Sequence, residues 1–189
     1  MAVIVARLAS RNPNKARELE RSLPGWEISL LEGGELPPEE GSTYYENARA
    51  KARFGRQAGV WTLGEDSGIE VDGLGGRPGI RSARWADDGV ARLLEELDGV
   101  EGDGRRARYV CELVAVSPAG SEFRGTGTLA GRIADAPRGT EGFGYDPIFV
   151  PEGETRTVAE LGDAWKGEHS HRARAARALR AALAAAAAT

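Results

Sequence analysis

The apolar run Val60-Trp61-Thr62-Leu63 leads through Gly64 into two adjacent carboxylates, Glu65 and Asp66, and then into Ser67-Gly68. The block from Gly64 to Gly79 constrains this chain more than any other stretch. It predicts a short buried strand that ends in acid, followed by a sharp bend that brings backbone N–H groups close to a ligand. A carboxylate at a strand end, beside a hydroxyl and a glycine, suits Mg²⁺ held next to a phosphate chain. Asp, Ser and Gly are also ordinary turn residues, so Asp66-Ser67-Gly68 alone leaves open an acidic turn between two strands.

Strand and helix signals alternate around that block. Val3-Ile4-Val5-Ala6 is a compact apolar run of the kind buried in a mixed or parallel sheet. A helix follows, with Asn12 as N-cap, Pro13 at its first position and Lys15 in its first turn, and Pro24-Gly25 stops it. A strand that passes through polar residues into a helix start is a natural anion site, and a plain cap beside a solvated Lys15 is the other reading. Trp26 to Leu31 reads as a second strand, and residues 33–42 as a loop rich in breakers and acid, Glu39 and Glu40 included. Thr43 and Glu46 fit a capping box for a helix that runs to about Gln57 and ends at Gly59.

Beyond Gly79 the pattern gives a helix from about Asp88 to Leu97, with Leu93 and Leu97 on one face. A hairpin follows, Arg108–Ser117 and Glu122–Leu129, and Gly131-Arg132-Ile133 continues a strand. Gly142-Phe143-Gly144-Tyr145-Asp146-Pro147 sets two aromatics and a carboxylate on a glycine-jointed loop. That is either a clamp for stacking on a base or a loop whose aromatics plug the core. Ser170 is expected to cap a last helix that runs to Ala188. Lys166, His171 and Arg172 then cluster at its start, where cations oppose the helix dipole. Breaking that rule points to an anionic or carbonyl-bearing ligand.

Composition narrows the classes. The chain has 189 residues and a net charge of −4, which argues against a nucleic-acid surface. It contains no apolar run of membrane-spanning length, and its N-terminus is too quickly polar for a signal peptide. The single cysteine, Cys111, is expected in the core, and a cytoplasmic setting follows.

Together, Ser10-x-Asn12-x-x-Lys15, Thr43-Tyr44-Tyr45-Glu46-Asn47-Ala48, the Asp66–Arg84 block, Gly142–Pro147 and Ser170-His171-Arg172-Ala173 resemble one family. It is that of the non-canonical purine nucleoside triphosphate pyrophosphatases, the inosine/xanthosine triphosphatase or Ham1-like family. The resemblance spans nearly the whole chain, with Tyr44 and His169 as modest departures. It implies a single α/β domain over residues 1–189, with an elongated mixed central sheet, flanking helices, and two lobes with the active site in the cleft between them. It also implies a homodimer, a Mg²⁺ requirement, and hydrolysis of ITP, dITP and XTP to the monophosphate and pyrophosphate.

Carried onto these positions, the resemblance implies phosphate contacts from Ser10, Arg11, Asn12, Pro13, Asn14, Lys15 and Ser67. Glu39 and Asp66 are expected to hold Mg²⁺, Asp66 also acting as base for the attacking water. Glu40 is the alternative to Glu39 in the loop. Phe143, Gly144, Tyr145 and Asp146 are expected at the base, and Lys166, His171 and Arg172 as donors to its 6-oxo group. Adenine carries an amine there and would leave such donors unpaired. A related pyrophosphatase acting on pyrimidine or modified nucleotides is a second reading, and a nucleotide-binding module without turnover is a third. A substrate panel separates the first two, and the carboxylates at Glu39 and Asp66 count against the third.

Overall fold

The computed structural model describes residues 3–33, 35–56 and 59–188. Gly34 of the breaker-rich loop and Gln57, the expected end of the second helix, lie outside the described residues. Ile4–Leu8 forms β1, Pro13–Ser22 α1, Trp26–Leu30 β2, Tyr44–Phe54 α2 and Trp61–Val71 β3. Gly89–Glu96 is α3, Arg106–Val116 β4, Glu122–Ile133 β5, Phe149–Pro151 β6, Val158–His169 α4 and His171–Ala187 α5. The strands make one sheet in the order β2-β1-β3-β4-β5-β6. It is mixed: β1 pairs in parallel with β2 and β3, whereas β5 and β6 are antiparallel.

One expectation fails at the centre of the chain. Asp66 does not end a strand and Ser67-Gly68 does not turn, because β3 runs unbroken from Trp61 to Val71. Thr62 to Asp66 are all buried, as are Gly68, Ile69 and Val71. A strand covered on both faces must satisfy its N–H and C=O groups in the ladder, and a sharp bend there would strand them. The two carboxylates therefore lie in mid-strand.

The capping box of α2 is present in full: Thr43 Oγ1 accepts from Glu46 N, and the Glu46 carboxylate accepts from Thr43 N. The same device opens α4 at Thr157 and Glu160. That helix was not expected, although Thr157-Val158-Ala159-Glu160 carries the signature in plain sight. Its interruption hides it. Gly162 sits inside α4 at φ 85°, a left-handed value open to glycine, and the helix restarts after it. Ser170 is the C-cap of α4 and also stands in the expected N-cap position of α5, which begins at His171.

The chain divides into two compact units. The first comprises residues up to Asp66, Cys111–Gly127 and Arg172 onward; the second comprises Ser67–Val110 and Thr128–His171. In the first unit α1 and α5 pack on one core with Leu8, Leu63, Leu113 and Leu179, and α2 packs with Val114 and Val116. The core of the second gathers Ile69, Leu93, Leu97, Ile133, Ile148 and Phe149. No helix among the described residues is long and apolar enough to cross a membrane.

Candidate active site

In the first unit, alternation along β3 sends Glu65 and Asp66 to opposite faces. Gly64 shares the Asp66 face, and α2 lies directly on it. A Cβ at Gly64 would stand 1.9 Å from the Ala48 carbonyl oxygen and 2.4 Å from Ala52 N. That close approach brings Asn47 and Lys51, one helical turn apart, onto Asp66. Asn47 Nδ2 donates to Asp66 Oδ2 at 3.0 Å, and Lys51 Nζ donates to Asp66 Oδ1 at 3.1 Å. Lys51 also donates to the Glu65 carbonyl at 3.1 Å and pairs with the Glu39 carboxylate. Glu39, not the exposed Glu40, is the loop acid that reaches this cluster.

Burial raises the proton affinity of Asp66 above that of an ordinary carboxyl, despite the opposing pull of Lys51 and Asn47. For Lys51, burial pulls the other way from Asp66 and Glu39, and the carboxylates win, so the ammonium holds its proton more tightly than a free lysine. With both acids ionised, two carboxylates face one ammonium, which leaves this cluster one negative charge in excess.

The Glu65 face differs. Lys15 Nζ stands 2.6 Å from Glu65 Oε2, and Arg172 donates from Nε at 3.1 Å and Nη2 at 2.8 Å to Glu65 Oε1. Arg172 Nη1 pairs with Glu18 of α1, and the Cys111 thiol lies 3.5 Å from Glu65 Oε1. All but Lys15 are buried. Burial alone would push the Glu65 carboxyl up, but the charges of Lys15 and Arg172 hold it well below the usual range. Two acids meet two bases in this cluster.

At the start of α1, Ser10 Oγ accepts from Asn12 N at 3.1 Å, and Asn12 Oδ1 accepts from Asn14 N at 2.9 Å. Pro13 occupies the first turn, where it withdraws no needed donor. Asn14 receives a hydrogen bond from Arg17. Arg11 donates instead to the carbonyls of Leu31 and Gly33, at 3.2 and 3.3 Å, and so ties down the loop after β2.

The second unit gathers the remaining expected residues, beginning with Ser67, half-buried in β3. Asp146 is buried; its Oδ2 accepts from Lys166 Nζ at 2.6 Å and from Phe143 N at 2.8 Å, and its Oδ1 from Tyr109 Oη at 3.3 Å. Lys166 Nζ lies 4.5 Å from the Phe143 ring centre, within cation–π range. The His171 ring stacks on Tyr109 at 4.5 Å with planes 6° apart. Lys166 is held by the restarted part of α4, whose first amide, Asp163 N, donates to Glu141 of the Phe143 loop at 2.9 Å. Glycine at 162 has no side chain to cap that restart, and Glu141 supplies the cap from outside.

Two expectations change here. Tyr145 is core, not clamp: it is buried, its hydroxyl donates to the Ser82 carbonyl at 3.0 Å, and burial pushes its proton affinity up to about 12. Gly144 beside it takes φ 63° and lets the chain turn Tyr145 inward. Arg172, expected as a donor to the base, carries its guanidinium between Glu65 and Glu18 in the first unit. Lys166 lies inside α4 and not at the start of the last helix.

Sequence reasoning missed Lys51, Asn47, Glu18 and Tyr109 as members of these clusters. The first two were within reach. Asn47-x-x-x-Lys51 places two polar groups on one face of a helix whose other members on that face, Ala48 and Ala52, are apolar and small.

The Ham1 family model matches residues 6–182. The chain is 41% identical over 188 residues to the dITP/XTP pyrophosphatase of Bdellovibrio bacteriovorus, covering 91% of this chain and 94% of that one. It is 45% identical to the Frankia alni protein of the same name, with coverage of 91% and 93%. Among solved structures it is similar to the Staphylococcus aureus Ham1 protein, with a TM-score of 0.81, 34% identity, and coverage of 96% and 99%. A nucleoside-triphosphatase, or dITP/XTP pyrophosphatase, from Mycobacterium abscessus gives 0.71 at 41% identity, with coverage of 93% and 97%.

Proposed function

Because the chain belongs to the Ham1 family, we propose that it is a nucleoside triphosphate pyrophosphatase that hydrolyses ITP, dITP and XTP to the monophosphate and pyrophosphate. The observation that carries the chemistry is Asp66: buried in mid-strand, raised in proton affinity, and fixed by Asn47 and Lys51. A carboxylate that binds protons more tightly than usual is a better general base near neutral pH. It takes a proton from water while the water oxygen bonds to the α-phosphorus, and the α–β bridging bond breaks to release pyrophosphate. Lys51 offers a fixed positive charge beside that centre, and Ser10, Asn12 and Lys15 offer donors to the phosphate oxygens at the start of α1.

Glu39 and Asp66 are the residues that would hold Mg²⁺. Their hard oxygens and the excess negative charge of their cluster fit the ion, which is usually bound by one or two carboxylates together with substrate phosphates. Bound there, the ion would neutralise phosphate charge.

The base is read by the second unit. Phe143 offers a face for stacking, and Lys166 and His171 offer donors to a 6-oxo group. Arg172 in this reading fixes the carboxylate cluster and does not select the base. Family membership supports a homodimer, and a lone buried cysteine supports a cytoplasmic setting. The deciding experiment incubates the protein with ITP and with ATP in Mg²⁺ and scores pyrophosphate against orthophosphate. IMP and pyrophosphate from ITP, with little turnover of ATP, is the expected result; IDP and orthophosphate as first products would overturn it.

A further inference from the structure

Tyr109 has two attachments that no expectation drawn from the sequence included. Its ring is buried in β4, tilted against Phe149 at 4.6 Å and stacked nearly parallel on His171 at 4.5 Å. Its hydroxyl donates to Asp146 Oδ1, and the other oxygen of that carboxylate accepts from Lys166 Nζ and Phe143 N. One phenol thus meets a donor ring through its face and a donor ammonium and a stacking loop through its hydroxyl.

We propose that Tyr109 is the positioning residue that presents His171, Lys166 and Phe143 to the nucleobase. The proposal rests on the reading of the second unit as the base-binding part. Stacking fixes the plane of the His171 imidazole, and both ring nitrogens direct their hydrogen bonds within that plane. With the plane held, its donor directions are fixed to rotation about a single axis. The hydroxyl works on the other side. Asp146 with a donor on each oxygen cannot swing, so Lys166 keeps its place under Phe143 and the loop amide stays bonded. Pre-set donors discriminate bases well, because a wrong base then leaves them unpaired instead of letting them turn away. Tyr109 touches no substrate in this scheme; it acts through the three residues it holds.

Two variants separate its attachments. Tyr109→Phe keeps the ring stack and removes only the bond to Asp146; Tyr109→Leu removes both. Four quantities are measured on each: KM and kcat for ITP, the affinity for IMP by calorimetry, and inhibition by inorganic tripolyphosphate, which has no base. We expect KM for ITP and the Kd for IMP to rise by about 5-fold in Tyr109→Phe and by about 10-fold or more in Tyr109→Leu. In both, kcat should stay within about twofold and tripolyphosphate inhibition should not change. A general packing defect would weaken tripolyphosphate along with IMP, and that outcome, or an unchanged KM in both variants, overturns the proposal. If the unsubstituted protein neither turns over ITP nor binds IMP, the functional reading itself has failed and takes this proposal with it.

Discussion

Glu65 and Asp66 are consecutive residues of one unbroken strand, yet they answer to different helices. Glu65 Oε1 lies 2.8 Å from Arg172 Nη2 of α5, and Asp66 Oδ2 lies 3.0 Å from Asn47 Nδ2 of α2. Opposite faces give the two acids opposite electrostatics: Glu65 is held well below the ordinary carboxyl range and Asp66 is raised above it. The function proposed above gives the chemistry to the raised one and an architectural part to the lowered one.

For Asp66 the sign works against stability. A folded-state proton affinity above the unfolded one means that stabilisation is present below the unfolded pKa and is lost as pH rises through the folded value. At neutral pH the charged Asp66 therefore costs stability, and Asp66→Asn imitates the protonated form. The variant should lose on the order of 10²-fold or more in kcat on ITP and melt at the same temperature as its parent or higher. Activity assays and calorimetric melts at pH 7 check both halves.

For Glu65 the sign reverses. Its depressed value contributes stability that is present above the unfolded pKa and disappears as pH falls through the folded one. Glu65→Gln leaves Lys15 and Arg172 facing a neutral amide in a buried site, at a cost of about 3–5 kcal/mol. Denaturant unfolding at neutral pH should show that loss, and the gap between parent and variant should close on acidification.

Lys51 is expected to set the acid limb of the rate profile. It lowers the proton affinity of Asp66, so its removal in Lys51→Met raises that affinity further. If Asp66 must be deprotonated to act, the acid limb of kcat/KM then moves to higher pH. An acid limb that stays in place in this variant would assign the base to another group.

Arg172→Ala should damage the protein without changing its choice of base. The fork that bridges Glu65 and Glu18 is lost, and Arg172→Lys does not restore it, since an ammonium cannot span both acids in the same geometry. The ratio of kcat/KM for ITP to that for ATP, measured on one preparation, should stay within about threefold of the parent while Tm falls. A selective loss on ITP would return Arg172 to the base.

The elements with local signals were legible. Asn12 with Pro13 announces α1, and Thr43 with Glu46 announces α2, because caps are written in residues three or four apart. Helix α4 was hidden by Gly162, since a break that the second unit caps with a remote glutamate leaves no trace in adjacent sequence. The turn expected at Ser67-Gly68 was wrong because turn propensity yields to a strand buried on both faces. The resemblance named Asp66, Glu39 and Lys15, and the structure pairs Glu39 and Asp66 with Lys51 and Lys15 with Glu65. Residue identity could not tell that Arg172 faces acids, because that pairing joins residues 107 and 154 positions apart in the chain.

The buried thiol beside Glu65 gives this molecule an internal clock. Cys111 is the sole cysteine, and burial together with the neighbouring Glu65 charge pushes its proton affinity well up, so the folded chain keeps it as an unreactive thiol. A maleimide or disulfide reagent can mark it only during excursions that part β4 from its surroundings. Labelling rates at several reagent concentrations would thus time the opening of the strand that carries Cys111, with no engineered probe, in a protein whose other 188 residues offer the reagent no competing thiol.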